Sequence, residues 1–429
     1  MPPASRALRL LLLGINYRPE PVGIAVYSEG LARWLTDRGH AVEVVAGQPY
    51  YPAWEVPREY GGFWPHDVEA GVGVTRVPLY VPKRPSGAKR ILHHLSFAVS
   101  ATFPVLGQII GRRPDIVFVV APSLVAAPLG WLAARLCGAR AWLHVQDFEV
   151  DAALSTGFMN HAGFATRLAR GFERWIMQRF DIVSSISPMM CARLPLKGVE
   201  QDRVVEFRNW ASLEDVTPLG RPSLFREKWN ISTPHVALYS GNIGAKQGMG
   251  TLIEVARLLV DNPDLTFVIC GQGPERAALE ASASDLRNVR FYDLQPRDQL
   301  AELVGLATIH LLPQLAGAAD LVLPSKLNNM LASGVPVVAT ADKGTGLADE
   351  VESCGIVVPP GDATAMARAI ERLMADDALR LGLGVAARQR ALERWHPDAI
   401  LAQLEQQLLE LAASRSPMTP AAAAPSERA

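Results

Sequence analysis

Cysteine is scarce in this chain. Its four copies among 429 residues, Cys137, Cys191, Cys270 and Cys354, lie far apart and form no CxxC pair. Zinc and redox-motif chemistry fail on that spacing, and reduced thiols in a cytoplasmic protein are expected. An excess of either charge is lacking too. Lysine and arginine number 42 against 43 aspartates and glutamates, a formal charge of −1, so the basic footprint of a nucleic-acid binder is missing. Any anionic ligand must then be met by local groups, not by the field of the whole molecule. A secretory leader is also unexpected. The apolar run Leu8 to Ile15 contains Arg9 and flows into Asn16-Tyr17-Arg18-Pro19 without a small-residue cleavage site. It reads as a buried first strand.

What is present is alternation. In the first half, short apolar runs at 8–16, 41–47, 74–79, 115–121, 140–147, 181–187 and 203–209 alternate with helical patterns such as 25–39, where Gly39 supplies a stop. Continuously apolar strands alternating with helices mean a parallel sheet covered on both faces. After Asn209 the pattern breaks at Pro218, Gly220 and Pro222, and a second series follows at 235–241, 265–271, 289–293, 308–313, 335–340 and 355–360. The expected architecture is α/β, with two Rossmann-like domains whose sheets face a central cleft. The expected boundaries are 1–212, a linker at 213–222, a second domain at 223–390, a helical segment at 391–414 returning to the first domain, and a low-complexity, disordered tail at 415–429.

Three segments of the second half can meet a phosphate. In DLVLPSKLNNMLASGVPVVAT (320–340), Ser325 is expected to cap a helix carrying Leu327, Met330 and Leu331. Free N–H groups and the positive end of the helix dipole favour an anion there. Lys326 in the first turn is poorly placed for helix stability alone, although a solvated lysine would read the same way. In YSGNIGAKQGMG (239–250), Gly241, Gly244, Gly248 and Gly250 open a strand-to-helix turn around Lys246. Such turns let main-chain amides approach an anion, or are merely permissive. The pattern is not a Walker loop. In CGQGPER (270–276), Gly271, Gly273 and Pro274 follow a strand, but Arg276 occupies the third glycine position of a dinucleotide fingerprint.

In that order, these motifs resemble glycosyltransferase family 4 and its GT-B fold, over nearly the whole chain. The longer stretches NYRPEPVGI, QPYYPAWEVP, RPDIVFVVAPSL, WLHVQDFEVDAA, YSGNIGAKQG and LPSKLNNMLASGVPVVAT are similar to the WcaI-type colanic acid branch of that family. The resemblance implies a retaining hexosyltransferase that draws on a nucleotide-diphosphate sugar as substrate, with no cofactor and no essential metal. It implies donor contacts at Gly23, Gly241, Asn242, Gly244, Gly271, Gly273, Pro274, Pro324 and Ser325. It further implies a lipid-diphosphate-linked or oligosaccharide acceptor, exopolysaccharide synthesis, and a place on the inner face of the cytoplasmic membrane. Two departures stand out. Where many relatives carry two glutamates, this chain has Leu321 and Asn329, with Asp320 adjacent to the first, and both Asp320 and Asn329 are read as donor contacts. The frequent His-Asp pair is Gln146-Asp147.

Charge builds on the departing diphosphate oxygen as an anomeric bond breaks, so Lys246 and Lys326 are read as the catalytic cations. Asp147, ending a strand on the cleft side, is expected at the acceptor hydroxyl; a turn-capping role is the alternative. His144 on the same strand reads equally as a core histidine. Asp147, Glu149 and Asp151 cluster, but no second cluster supplies ligands, so no metal site is expected. Between Arg90 and Arg112 a run free of charged side chains is interrupted by Pro104, Gly107 and Gln108. It fits a helix lying in a membrane interface better than a spanning one, or else a helix covering the sheet. Two rivals follow from the replaced glutamates: a nucleotide-sugar 2-epimerase of the same fold, and a catalytically silent subunit that binds a nucleotide sugar.

Overall fold

The computed structural model describes residues 7–20, 23–83, 87–155, 163–244, 247–316 and 324–414. Lys246, Asp320 and the tail at 415–429, all singled out from the sequence, lie outside the described residues.

Two sheets carry the chain. The first holds β1 (Arg9–Gly14), β2 (Ala41–Gly47), β3 (His66–Glu69), β4 (Val72–Val77), β5 (Ile116–Ala121), β6 (Arg140–Val145), β7 (Ile182–Ser185) and β8 (Val204–Glu206), ordered β3-β4-β2-β1-β5-β6-β7-β8. The second holds β9 (His235–Ser240), β10 (Leu265–Cys270), β11 (Val289–Tyr292), β12 (Ile309–Leu312), β13 (Val337–Thr340) and β14 (Gly355–Val358), ordered β11-β10-β9-β12-β13-β14. All pairs are parallel except β3 with β4. β1 shows why its run is unbroken leucine. It lies between β2 and β5; Leu11 and Leu13 enter the core on one face, Leu10 and Leu12 the core on the other.

Helices cover both faces of the first sheet. On one lie α1 (Ile24–Asp37), through Leu31 and Leu35, and the last helix, Pro397–Ala413, through Leu401, Leu404 and Leu408. On the other lie α2 (Gly87–Gly111), α3 (Ala127–Cys137) and, after α4 (Glu149–Ser155), α5 (Phe164–Met177). The last described helix thus returns to the first domain. Glu405 receives Arg38 at 2.9 Å, the His40 ring at 3.1 Å and the Trp34 indole at 3.3 Å.

β3 was not foreseen. Its residues His66 to Val68 are exposed, so no buried face imposes a period-two pattern, and an edge strand needs only one neighbour. The segment between the sheets also differs from an exposed linker. Ala211, Leu213 and Val216 are buried with the helices of the second domain, and Arg388 holds the carbonyls of Val216 and Ala332, each at 2.8 Å.

Candidate active site

β9 runs into Gly241, whose φ of 139° and whose contact with Lys326, 3.3 Å from where a Cβ would stand, both call for glycine. The chain then runs along the turn that follows β10. Gly241 N–H donates to the Cys270 carbonyl at 2.9 Å, Ile243 N–H to that of Gln272 at 2.8 Å, and Glu275 N–H to that of Ile243 at 3.3 Å. A Cβ on Gly271 would fall 1.9 Å from the Gly241 carbonyl oxygen. The glycines at 271 and 273 therefore let two main chains meet. Gly271 N–H is spent on Tyr292, and Arg276 is tied to the Gly271 carbonyl and to Asp293, both at 2.6 Å, and to Glu280 at 2.7 Å. These turns brace the 241–244 loop; the Gly271 amide is not open to an anion.

Lys326 begins the helix Lys326–Ala332 and reaches back to that loop. Its ammonium donates to the Tyr239 hydroxyl at 2.8 Å and lies 4.0 Å from the ring centroid. The buried Tyr239 hydroxyl in turn donates to the Asn242 carbonyl. Burial pulls the lysine down to about 7, because an ammonium loses hydration there that a hydroxyl and a ring only partly replace. One cation and one glycine turn are thus brought together by a tyrosine the sequence reading passed over.

Ser325 does not cap this helix. Its backbone is already helical (φ −58°, ψ −23°), its side chain makes no capping bond, and it is exposed. A cap needs an extended backbone to swing the hydroxyl over the first free amides. The turn starts instead at Pro324, whose carbonyl accepts from Leu327 N–H at 3.0 Å. Asn329, expected at a ribose, accepts the Ser212 N–H on its Oδ1 at 3.0 Å, joining the helix to the connecting segment.

On the first domain, Gly23 starts α1 with a φ of 68°, and the space where its side chain would stand is open. Asp147 follows β6 and is partly exposed. Its neighbour Gln146 accepts from Asn209 Nδ2 at 3.0 Å, and the Asn209 carbonyl makes a long 3.5 Å contact with Asn328 Nδ2. This amide chain crosses between domains. It draws the strand end carrying Asp147 toward the helix carrying Lys326. Beside it, Arg208 reaches the buried Glu350 at 2.9 Å.

His144 is a core residue, bonded to Ser184 Oγ at 2.9 Å and pushed down to about 3 by burial. The three acidic groups of 147–151 do not converge. Asp151 pairs with Lys197 at 3.0 Å. Glu149 accepts the amides of Ser123 and, at 3.1 Å, Leu124, and burial first, with Asp147 adding to it, pushes its carboxyl up to about 7. It holds Ser123 in a left-handed conformation at the end of β5. Nothing local in the sequence marks that role, since its partners lie 25 and 26 residues away.

Residues 22–210 match the model of the glycosyl transferase 4-like domain, and residues 223–390 that of the glycosyl transferases group 1. The colanic acid biosynthesis glycosyl transferase WcaI of Escherichia coli K12 is 41% identical over 380 residues, which is 86% of this chain and 92% of that protein. The amylovoran biosynthesis glycosyltransferase AmsK of Erwinia amylovora is 28% identical over 228 residues, 51% of this chain and 56% of its own. Sucrose-phosphate synthase from Thermosynechococcus elongatus superimposes with a TM-score of 0.73 at 18% identity, over 95% of this chain and all of that one. Anabaena HepE in complex with UDP-glucose gives 0.68 at 15%, over 94% of this chain and all of its own. At such identities the structures speak to the fold alone.

Proposed function

The chain belongs to the glycosyltransferases that join a 4-like to a group 1 domain in the GT-B fold, and from that premise we propose that it moves a hexose, with retention, from a nucleotide-diphosphate sugar to a lipid-diphosphate-linked or oligosaccharide acceptor in exopolysaccharide assembly. The observation that carries this reading is the Lys326 ammonium, seated by Tyr239 over the Gly241 turn. A cation held where burial opposes its charge is costly unless an anion joins it. The donor diphosphate supplies that anion.

In this scheme the bond between the anomeric carbon and the diphosphate oxygen breaks as the acceptor oxygen bonds to the same face of that carbon. The acceptor's proton passes to the departing phosphate oxygen, so no carboxylate acts as nucleophile. Lys326 neutralises charge that is greatest in the transition state, where a fixed cation lowers the barrier most. Lys246, from the same glycine loop, is the second cation on the strength of its sequence position. The 241–244 turn with Asn242 and Gly244, the 324–325 turn and Gly23 line the donor, and Asp147 meets the acceptor hydroxyl. The exopolysaccharide context is supported by the names of WcaI and AmsK; Anabaena HepE shows a protein of this fold in complex with UDP-glucose. The enzyme works on the cytoplasmic side of the membrane, held there by α2. That helix alone among the described residues is long and apolar enough to cross a membrane, but its Phe97, Ala101, Val105 and Ile109 are built into the sheet's core.

The test is a panel of labelled nucleotide sugars with a membrane-extracted lipid acceptor. Acceptor-dependent transfer with retained configuration is expected. A sugar isomer released without acceptor would make the protein an epimerase, and donor binding without transfer would make it a silent subunit.

A further inference from the structure

We propose that the protein docks on an anionic membrane through a face that continues beyond α2, across α3, to the arginine-bearing helix α5. This rests on the reading that the enzyme works at the membrane, and adds a second contact that α2 alone does not supply.

The three helices cover the same face of the first sheet, so their outer sides face the same way. On α2 the inner stripe is Phe97, Ala101, Val105 and Ile109, while Leu95, Val99, Phe103 and Ile110 point outward. Val99 is 67% and Phe103 63% exposed, and apolar side chains lined up on one outer face mark a contact surface. α5 repeats the design. Ile176 and Met177 enter the core, and Phe164 and Leu168 stand 80% and 65% exposed. α3 packs beside α2 and bridges the two. Its Leu136 is exposed, its Trp131 meets Trp175 of α5 edge-on at 6.3 Å, and Arg179 lies over both rings.

Charge chooses the partner. Outward positions include Lys89 on α2, Arg135 on α3, and Arg167, Arg170 and Arg174 on α5. The one acidic residue in these helices, Glu173, is buried and paired with Lys197 at 2.7 Å. A chain of net charge −1 thus concentrates cations on one apolar face. Apolar side chains ringed by long cationic ones suit the boundary between acyl chains and anionic headgroups. Each helix follows the C-terminal end of a strand, so its first turn lies at the sheet edge that bears Gly23 and Asp147. Lys89 and Arg167 then meet the leaflet beside the cleft, where the diphosphate of a lipid-linked acceptor would emerge.

The test is co-sedimentation of the full chain with vesicles of phosphatidylcholine alone and with one third phosphatidylglycerol. The α5 variant Arg167→Gln/Leu168→Gln/Arg170→Gln alters only exposed side chains and is expected to keep its melting temperature. Its binding to the anionic vesicles is expected to fall about 10- to 30-fold, as each basic residue near such a surface contributes roughly fivefold. If it binds like wild type while the α2 variant Val99→Asp/Phe103→Asp is released, the footprint stops at α2 and this inference fails alone. If neither variant changes binding, both readings fail. If wild type self-associates without vesicles and the α5 variant does not, the face is a contact between copies and the inference is overturned.

Discussion

Lys326 places its ammonium 2.8 Å from the Tyr239 hydroxyl and 4.0 Å from the centre of the same ring. The two residues are 87 positions apart, one at the end of β9 and the other opening a helix after β12. Their meeting turns two ordinary loops into a seat for an anion.

That seat binds protons as well as phosphate. With Lys326 lowered to about 7, the empty site is mostly neutral at pH 8, and a bound diphosphate returns the ammonium. Calorimetry with UDP in buffers of different ionisation enthalpy should show proton uptake at pH 8, where the nucleotide's own terminal phosphate is already ionised, and none in Lys326→Met. Equal uptake in the variant would dissociate the proton from this lysine. The sign for stability is set by a folded value below the unfolded one. The penalty is full below pH 7 and fades as pH rises toward the unfolded value near 10. Lys326→Met should therefore raise the melting temperature at pH 6, with a gain that shrinks above pH 7.

Lys326→Ala should lower kcat about 100- to 1000-fold, the range for losing one fixed group that stabilises developing charge, while the fold persists. Single-turnover transfer measures it. Rates close to wild type would remove Lys326 from the chemistry.

Gly271→Ala forces apart the two turns that brace the donor loop, because its Cβ would stand 1.9 Å from the Gly241 carbonyl oxygen. A loss of about 1–3 kcal/mol is expected from such overpacking, read as a lower denaturant midpoint together with weaker UDP binding. Gly171→Ala is the contrast. It sits in α5 with open space around it and should be neutral or stabilising, by up to about 1 kcal/mol. Equal behaviour of the two variants would mean that the loop contact carries no weight.

Charging the outer stripe of α2 with Val99→Asp and Phe103→Asp should move the protein from the membrane pellet to the supernatant in cell fractionation. Both side chains are exposed, so the circular dichroism spectrum should not change. Retention in the pellet would argue against α2 as an anchor.

Truncation after His396 removes Leu401, Leu404 and Leu408 from the first domain's core. At about 1.5–3 kcal/mol for each buried leucine, the truncated chain should aggregate on expression. Glu405→Gln, which weakens the contacts with Arg38 and His40 and keeps the helix, should cost about 1–3 kcal/mol by chemical denaturation. A soluble, active truncation product would show the helix to be dispensable.

Much of the fold was legible because burial leaves a local trace. Leu10 to Leu13 are apolar on both sides since β1 is covered on both sides, and the strand-helix alternation repeats that logic through two sheets. Gly241 and Lys326 could be singled out for a similar reason, as glycine and an odd first-turn cation stand out against their neighbours. β3 left no such trace, since its exposed side chains face no core, and Glu149 was given no role of its own because its backbone partners lie far upstream.

What the sequence by itself determined is the two series of buried strands alternating with helices, the order of the motifs and hence the family. Tertiary structure alone decided which group meets which. Asn329 is taken up by the Ser212 amide across 117 positions, Gly271 is small because the Gly241 carbonyl presses on it, and Ser325 is left uncapped because Pro324 begins the turn. Backbone amides and carbonyls are common to every residue, and which of them lies within hydrogen-bond reach depends on packing that no local pattern records.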